Sequence, residues 1–161
     1  FCKTFHSTMN QIMDEYGKDG KVAWVYRHFP IDQLHSKADK EAEATECAFA
    51  QGGNEMFWKY INRIFEVTPS NNNLDSAQLP AIAKELGLDA AKFNECLSSG
   101  TYASKVETMY QSGITAGVRG TPHSFVITTK DGNKYPLEGA QPYATVKSVI
   151  DAALVDAGKT N

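Results

Sequence analysis

Cysteine is scarce in this 161-residue chain, and no sign of charge dominates it. Three cysteines, Cys2, Cys47 and Cys96, are too few and too dispersed for a disulfide-dense miniprotein. Their spacing is not that of a zinc site either. An odd number leaves one thiol over if two pair. Lysine and arginine number 16 against 19 aspartates and glutamates, a net charge of −3. No basic cluster offers an electrostatic footprint for nucleic acid. No apolar run approaches the ~18–20 residues of a membrane span, and the first residues are not a signal peptide. Internal repeats and low-complexity segments are absent. What remains is 42% hydrophobic and 11% aromatic, enough for a real core in one domain, or in one domain carrying an insertion. Position 1 is Phe rather than Met. This reads as a processed, trimmed or partial chain, with any export signal lost upstream.

Apolar periodicity predicts the elements. Phe5, Met9, Ile12, Met13 and Tyr16 form a helical stripe ended by Gly17 and the Lys18-Asp19-Gly20 stretch. Val22 to Phe29 (VAWVYRHF) is rich in β-branched and aromatic residues, and its apolar start predicts a strand buried on both faces. A helical block follows: 38–51, stopped by Gly52-Gly53, then 54–65, 77–86, 89–98 capped by Asp89, and 102–114. The tail changes character. Ser124 to Thr129 reads as a strand, Asp131-Gly132 as a tight hairpin turn, and Lys134 to Leu137 as the returning strand. A closing helix runs over 142–157. A helical block between an αβ half and a ββα half outlines an α/β domain with a helical insertion.

Two places carry chemistry. Cys2 sits at the head of the first helix, where backbone N–H groups favour a thiolate. By itself it is equally a small apolar residue in a first turn. Thr121-Pro122 stands directly before the 124–129 strand. An X-Pro bond is the one that readily turns cis, and a cis bond here would turn the Thr121 backbone outward to pair with an extended peptide. The plain alternative is a trans proline in a loop. His6, His28, His35 and His123 are scattered and form no metal motif. His123, next to Pro122, either flanks the site or is a strand-edge histidine. Lys3 and Arg119 are the cations expected nearest Cys2. Cys47 and Cys96 are either two buried thiols or a structural disulfide stapling the helical block. The disulfide is the expectation adopted here. The acidic run 41–46 reads as the wet face of a helix.

Taken together, these segments resemble the DsbA-like thiol–disulfide oxidoreductases. Phe1-Cys2-Lys3-Thr4-Phe5-His6 resembles the second half of that family's Cys-Pro-Phe-Cys-Lys-x-Phe run, and Gly117 to Pro122 (GVRGTP) its cis-proline loop. Phe29-Pro30-Ile31 with His35, Cys47-Ala48, Phe57-Trp58, Leu86-Gly87-Leu88-Asp89 with Phe93, and Gly139-Ala140-Gln141-Pro142-Tyr143 also fit, in order along the whole chain.

The resemblance implies an α/β, thioredoxin-like fold, discontinuous over 1–37 and 115–161, with a helical insertion over 38–114. The strand upstream of the motif would be missing from the chain. It implies an extracytoplasmic enzyme, periplasmic for example, that introduces or exchanges disulfides in cysteine-containing proteins. It needs no organic cofactor or metal, and a redox partner resets it. Cys2 would be the resolving cysteine. The attacking cysteine would lie just before Phe1, so the chain alone is expected to be inactive in dithiol exchange. Phe1, Arg119, Thr121, Pro122 and His123 would line the substrate side. An isomerase or reductase role on the same fold, a non-catalytic peptide-binding module and a glutathione-dependent enzyme of related fold are the rival readings.

Overall fold

Helix α1 forms because its apolar residues recur at helical steps and find a partner surface. A computed structural model describes residues 1–158 and places α1 at Cys2–Tyr16. The chain divides into two units, Phe1–Tyr26 with the chain from Val118 onward, and Arg27–Gly117.

In the first unit, Phe5, Met9, Ile12 and Tyr16 are buried against Leu137, Val146, Ile150 and Leu154. Each such side chain contributes about 1.5–3 kcal/mol when fully buried. The last three belong to the closing helix, Tyr143–Asp156, whose N-cap is Pro142. Leu137 belongs to a hairpin of β1 (His123–Ile127) and β2 (Lys134–Glu138), paired antiparallel with Phe125 opposite Pro136. A polar clasp joins the two helices. Lys147 Nζ donates to Glu15 Oε1 (2.9 Å) and Tyr16 Oη (2.6 Å) and lies 3.2 Å from Asp151 Oδ2, while Tyr16 donates to Asp151 and Tyr143 to Glu15.

The helical unit holds α2 (Ala38–Val67), α3 (Gln78–Glu85), α4 (Ala90–Ser99) and α5 (Ala103–Thr115); the closing helix is therefore α6. Helix α2 is two helical stretches meeting at a kink, because Gly52 and Gly53 leave helical geometry and Gly53 has φ +63°. Only glycine takes that backbone without strain. Its core gathers Ala44, Cys47, Ala48, Tyr60, Ile64, Leu74, Leu79, Ile82 and Phe93. Tyr60 is fully buried, and its hydroxyl donates to the Leu79 carbonyl at 2.8 Å. Burial pushes its ionisation well above the ordinary range. Asp89 caps α4 by accepting from the Ala91 and Lys92 amides. Cys47 and Cys96 are joined by a disulfide that ties α2 to α4 across 49 residues, so neither is a free thiol.

Gly113 marks a close approach. A Cβ there would lie 2.6 Å from the Phe29 ring, which packs on Tyr110 with centroids 4.6 Å apart. Gly113→Ala is expected to cost about 1–3 kcal/mol through this overpacking. Urea unfolding of the variant, with Ala116→Gly as a surface control, measures it.

Two sequence expectations change. The segment 22–29 is not a laddered strand: among the described residues the sheet has only β1 and β2. Its exposure alternates instead, with Ala23, Val25 and Arg27 outward and Val22, Trp24, Tyr26 and His28 more enclosed. Extended chain gives that alternation by itself, whereas a ladder requires a neighbour. The hairpin turn is also longer than the Asp131-Gly132 pair, since β1 ends at Ile127 and β2 starts at Lys134. The Thr128 amide still bonds to the Asn133 carbonyl, and the Asp131 carboxylate accepts from the Thr128 hydroxyl and from the Asn133 amide and side chain, closing the loop. Short polar side chains compete with ladder bonds in this way.

Candidate functional site

The one free thiol among the described residues is Cys2. It is the first residue of α1, half-buried, behind an N-cap, Phe1, whose carbonyl accepts the Phe5 amide at 2.9 Å. Phe1 itself is 92% exposed, an aromatic ring in solvent beside a thiol. Lys3 is exposed on the same turn. His6 is buried, its ring 5.3 Å from that of Trp24. The apolar stripe of α1 thus anchors one side of the helix and leaves the Phe1-Cys2 end at the surface.

The second half of the expected site belongs to the same unit. The Thr121–Pro122 peptide bond is cis, and the Pro122 carbonyl accepts the Gly139 amide at 2.9 Å, which continues the hairpin register past β1. Thr121 and Arg119 are exposed, while Pro122 and His123 are partly buried. His123 packs on Phe125, centroids 4.7 Å apart, and its Nε2 is buried with no hydrogen-bond partner among the described residues. Helix α6 packs against both α1 and β1, so one element supports the Cys2 turn and the strand that follows Pro122. Among the described residues no three His, Cys, Asp or Glu side chains converge as metal ligands do.

Sequence reasoning missed two polar clusters in the helical unit. The run 41–46 does not form a wet face: Glu43 and Glu46 are both buried, at 3% exposure. Glu46 lies 3.2 Å from His28 Nε2 and 2.6 Å from Lys105 Nζ. Thr45 donates to the Ala42 carbonyl, so its oxygen, 3.1 Å from His28 Nε2, accepts. His28 therefore carries its hydrogen on Nε2, shared between Thr45 and Glu46. Burial alone pushes the Glu46 carboxyl up, but hydrogen bonds from His28 and Lys105 outweigh it and hold it below the usual range. The only sequence signal was the i, i+3 spacing of Glu43 and Glu46, which also suits an exposed helix. The second gathers Asp39, at the head of α2, with Glu43 and Glu107 around one open cavity.

This geometry has known counterparts. The sequence model of the family described as Thioredoxin matches residues 1–152. Among solved structures, DsbA2 of Pseudomonas aeruginosa superposes with a TM-score of 0.77 at 26% identity, over 97% of this chain and 83% of that one. Alpha-DsbA1 of Wolbachia pipientis superposes with a TM-score of 0.79 at 21% identity, over 98% of this chain and 84% of that one. Its likeness speaks for the fold alone. Curated relatives include the Na(+)/H(+) antiporter NhaA of Herminiimonas arsenicoxydans, 29% identical over 95% of this chain but 22% of that protein. The antiporter NhaA 3 of Salinispora tropica is 27% identical over the same shares. The chain spans about a fifth of the length of the curated relatives it matches. The fold is that of the DsbA-like oxidoreductases, mostly helical with a small two-stranded sheet among the described residues. The chain belongs to the thioredoxin family.

Proposed function

We propose that this chain is the exchange domain of an extracytoplasmic protein thiol–disulfide oxidoreductase, with Cys2 as the resolving cysteine of a C-x-x-C pair. The observation that carries the reading is the position of Cys2, a free thiol in the first turn of α1 in a thioredoxin-family chain. The disulfide at Cys47 and Cys96 supports an oxidising compartment, because such bonds do not persist in a reducing cytosol. Antiport belongs to those relatives as whole proteins, of which this chain matches about a fifth; among the described residues no helix is long and apolar enough to cross a membrane.

In this reading the attacking cysteine precedes Phe1. A substrate thiolate attacks that first sulfur of the oxidised pair, the bond to Cys2 breaks, and Cys2 leaves as a thiolate. A second substrate thiolate then attacks the substrate sulfur of the mixed disulfide and releases the first cysteine. Two electrons have moved from the substrate dithiol to the pair, and a redox partner removes them to reset it. Phe1 and the Arg119, Thr121, Pro122 and His123 segment line the substrate side. The substrates are cysteine-containing proteins presenting an extended stretch.

The test compares this chain with the full-length protein on a reduced dithiol peptide in a glutathione redox buffer. The expected result is catalytic oxidation by the full-length protein and a single mixed disulfide, without turnover, at Cys2 of this chain. Multiple turnover by the chain alone would show that Cys2 is not the resolving cysteine. A full-length protein without dithiol oxidation across redox buffers would leave a peptide-binding role.

A further inference from the structure

Val146, Ile150 and Leu154 recur at steps of four on the face of α6 that meets α1. An apolar row of this kind looks much the same from one turn to the next. A slip of α1 by one turn, about 5.4 Å, would still bury apolar side chains on it. Packed helices do move by such one-turn steps. The apolar contact therefore holds α1 on α6 without settling which residue meets which.

The polar clasp settles it. Glu15 and Tyr16, consecutive in the last turn of α1, reach Tyr143, Lys147 and Asp151, which stand one turn apart along α6. Lys147 is the hub: it bonds to both Glu15 and Tyr16, pairs with Asp151, and lies 5.0 Å from the centre of the Tyr16 ring. Moving α1 by one turn would part these pairs. The Tyr143 hydroxyl holds the Glu15 carboxyl below the usual carboxylate range, and Tyr16 does the same for Asp151. Both acids therefore stay charged against Lys147 at neutral pH. Exposed ion pairs add little to stability. What they add here is register.

That register reaches the candidate site from both sides. Helix α1 is unbroken from Cys2 to Tyr16, so fixing its last turn fixes its first. Tyr143 is the first residue of α6, and the segment before it is bonded to the mouth of the hairpin. There Gln141 Nε2 donates to the Glu138 carbonyl at 2.7 Å and the Gly139 amide to the Pro122 carbonyl at 2.9 Å. We propose that Glu15 and Lys147 are positioning residues: they set the register of α1 on α6, and so the separation of Cys2 from the Thr121–Pro122 segment. That these two places form an exchange site rests on the reading above; the register does not.

Cys2 is the one free thiol among the described residues, so a nitroxide placed there labels the head of α1 alone. The relaxation it induces at the Gly120, Thr121 and His123 amides falls with the sixth power of their distance from it. In Lys147→Met, which keeps the stem and removes the hub, that relaxation should change by about twofold or more, for which part of a 5.4 Å turn suffices. Tyr143→Phe, which cuts only the link from Glu15 to the start of α6, should change it in the same direction by less. Lys147→Arg should keep most of the wild-type relaxation. Asp156→Asn, which breaks the Tyr135 bond elsewhere on α6, should keep all of it. The urea midpoint of Lys147→Met should stay near that of the wild type, which a merely stabilising role would not allow. In the full-length protein, Lys147→Met should lower kcat/KM for dithiol oxidation by about tenfold or more and leave the reduction potential of the cysteine pair unchanged. Unchanged relaxation in both Lys147→Met and Tyr143→Phe, or the same change in Lys147→Arg as in Lys147→Met, would overturn the positioning role. Altered relaxation in Lys147→Met, beside a full-length wild-type protein that oxidises no dithiol, would uphold it and sink the exchange reading instead.

Discussion

Replacing both Cys47 and Cys96 with alanine should lower the unfolding free energy by about 4 kcal/mol. The bond closes a 49-residue loop, and the chain-entropy account of loops that long gives about that figure at 25 °C. Cys47 is 1% exposed within the cluster of Tyr60, Ile64, Ile82 and Phe93, so truncation also removes packed sulfur from the core. Urea unfolding followed by far-ultraviolet circular dichroism measures the loss, since the helical unit contributes four of the six described helices. Adding a reductant should bring the wild-type midpoint towards that of the double variant and leave the double variant where it is. A loss below about 1 kcal/mol would mean that the unfolded chain is already held compact in this region, so closing the loop gains little.

The second large effect is on chemistry rather than stability. Cys2→Ser should abolish labelling of the native chain by a small aromatic disulfide, because the other two sulfurs are bonded to each other. In the full-length protein the same substitution should bring dithiol oxidation down to the uncatalysed level. Offered a substrate that already carries a disulfide, the remaining cysteine should attack it and release one substrate thiolate, and the mixed disulfide should accumulate because Cys2 is not there to resolve it. The Cys47→Ala/Cys96→Ala variant, assayed well below its unfolding midpoint, should keep turnover. Loss of turnover in that variant and not in Cys2→Ser would reverse the roles assigned to the three cysteines.

Local signals were legible wherever one segment settles its own structure. The Phe5, Met9, Ile12 and Tyr16 stripe, the Asp89 cap and the Gly139 to Tyr143 lead into α6 all depend on near neighbours in the chain. Val22 to Phe29 was misread for the opposite reason. Its composition states a preference for extended backbone, while membership of a sheet depends on a partner strand. The Asp131 loop was misread because a dipeptide rule ignores the Thr128 hydroxyl that competes for the carboxylate. At the site, Cys2 and Thr121-Pro122 stood out because their chemistry is written in consecutive residues. Glu46 with His28, and Asp39 with Glu107, did not, since each cluster is assembled from distant segments. In a helical pattern a glutamate reads as solvated until something shows it enclosed.

Pro136 gives the hairpin a direction. The Gly139 amide bonds to the Pro122 carbonyl and the Thr128 amide to the Asn133 carbonyl, both directly opposed pairs. Counting in twos along the register, Phe125 and Pro136 form a pair that exchanges no ladder bonds, so their backbone groups face away from each other. On the far side of β2 the sequence of donors is therefore broken at residue 136, where proline has no N–H. On the far side of β1 the His123, Phe125 and Ile127 positions all carry theirs. The two rims of this small sheet are therefore unequal: the row of donors is complete beside β1, next to Thr121 and Pro122, and interrupted beside β2.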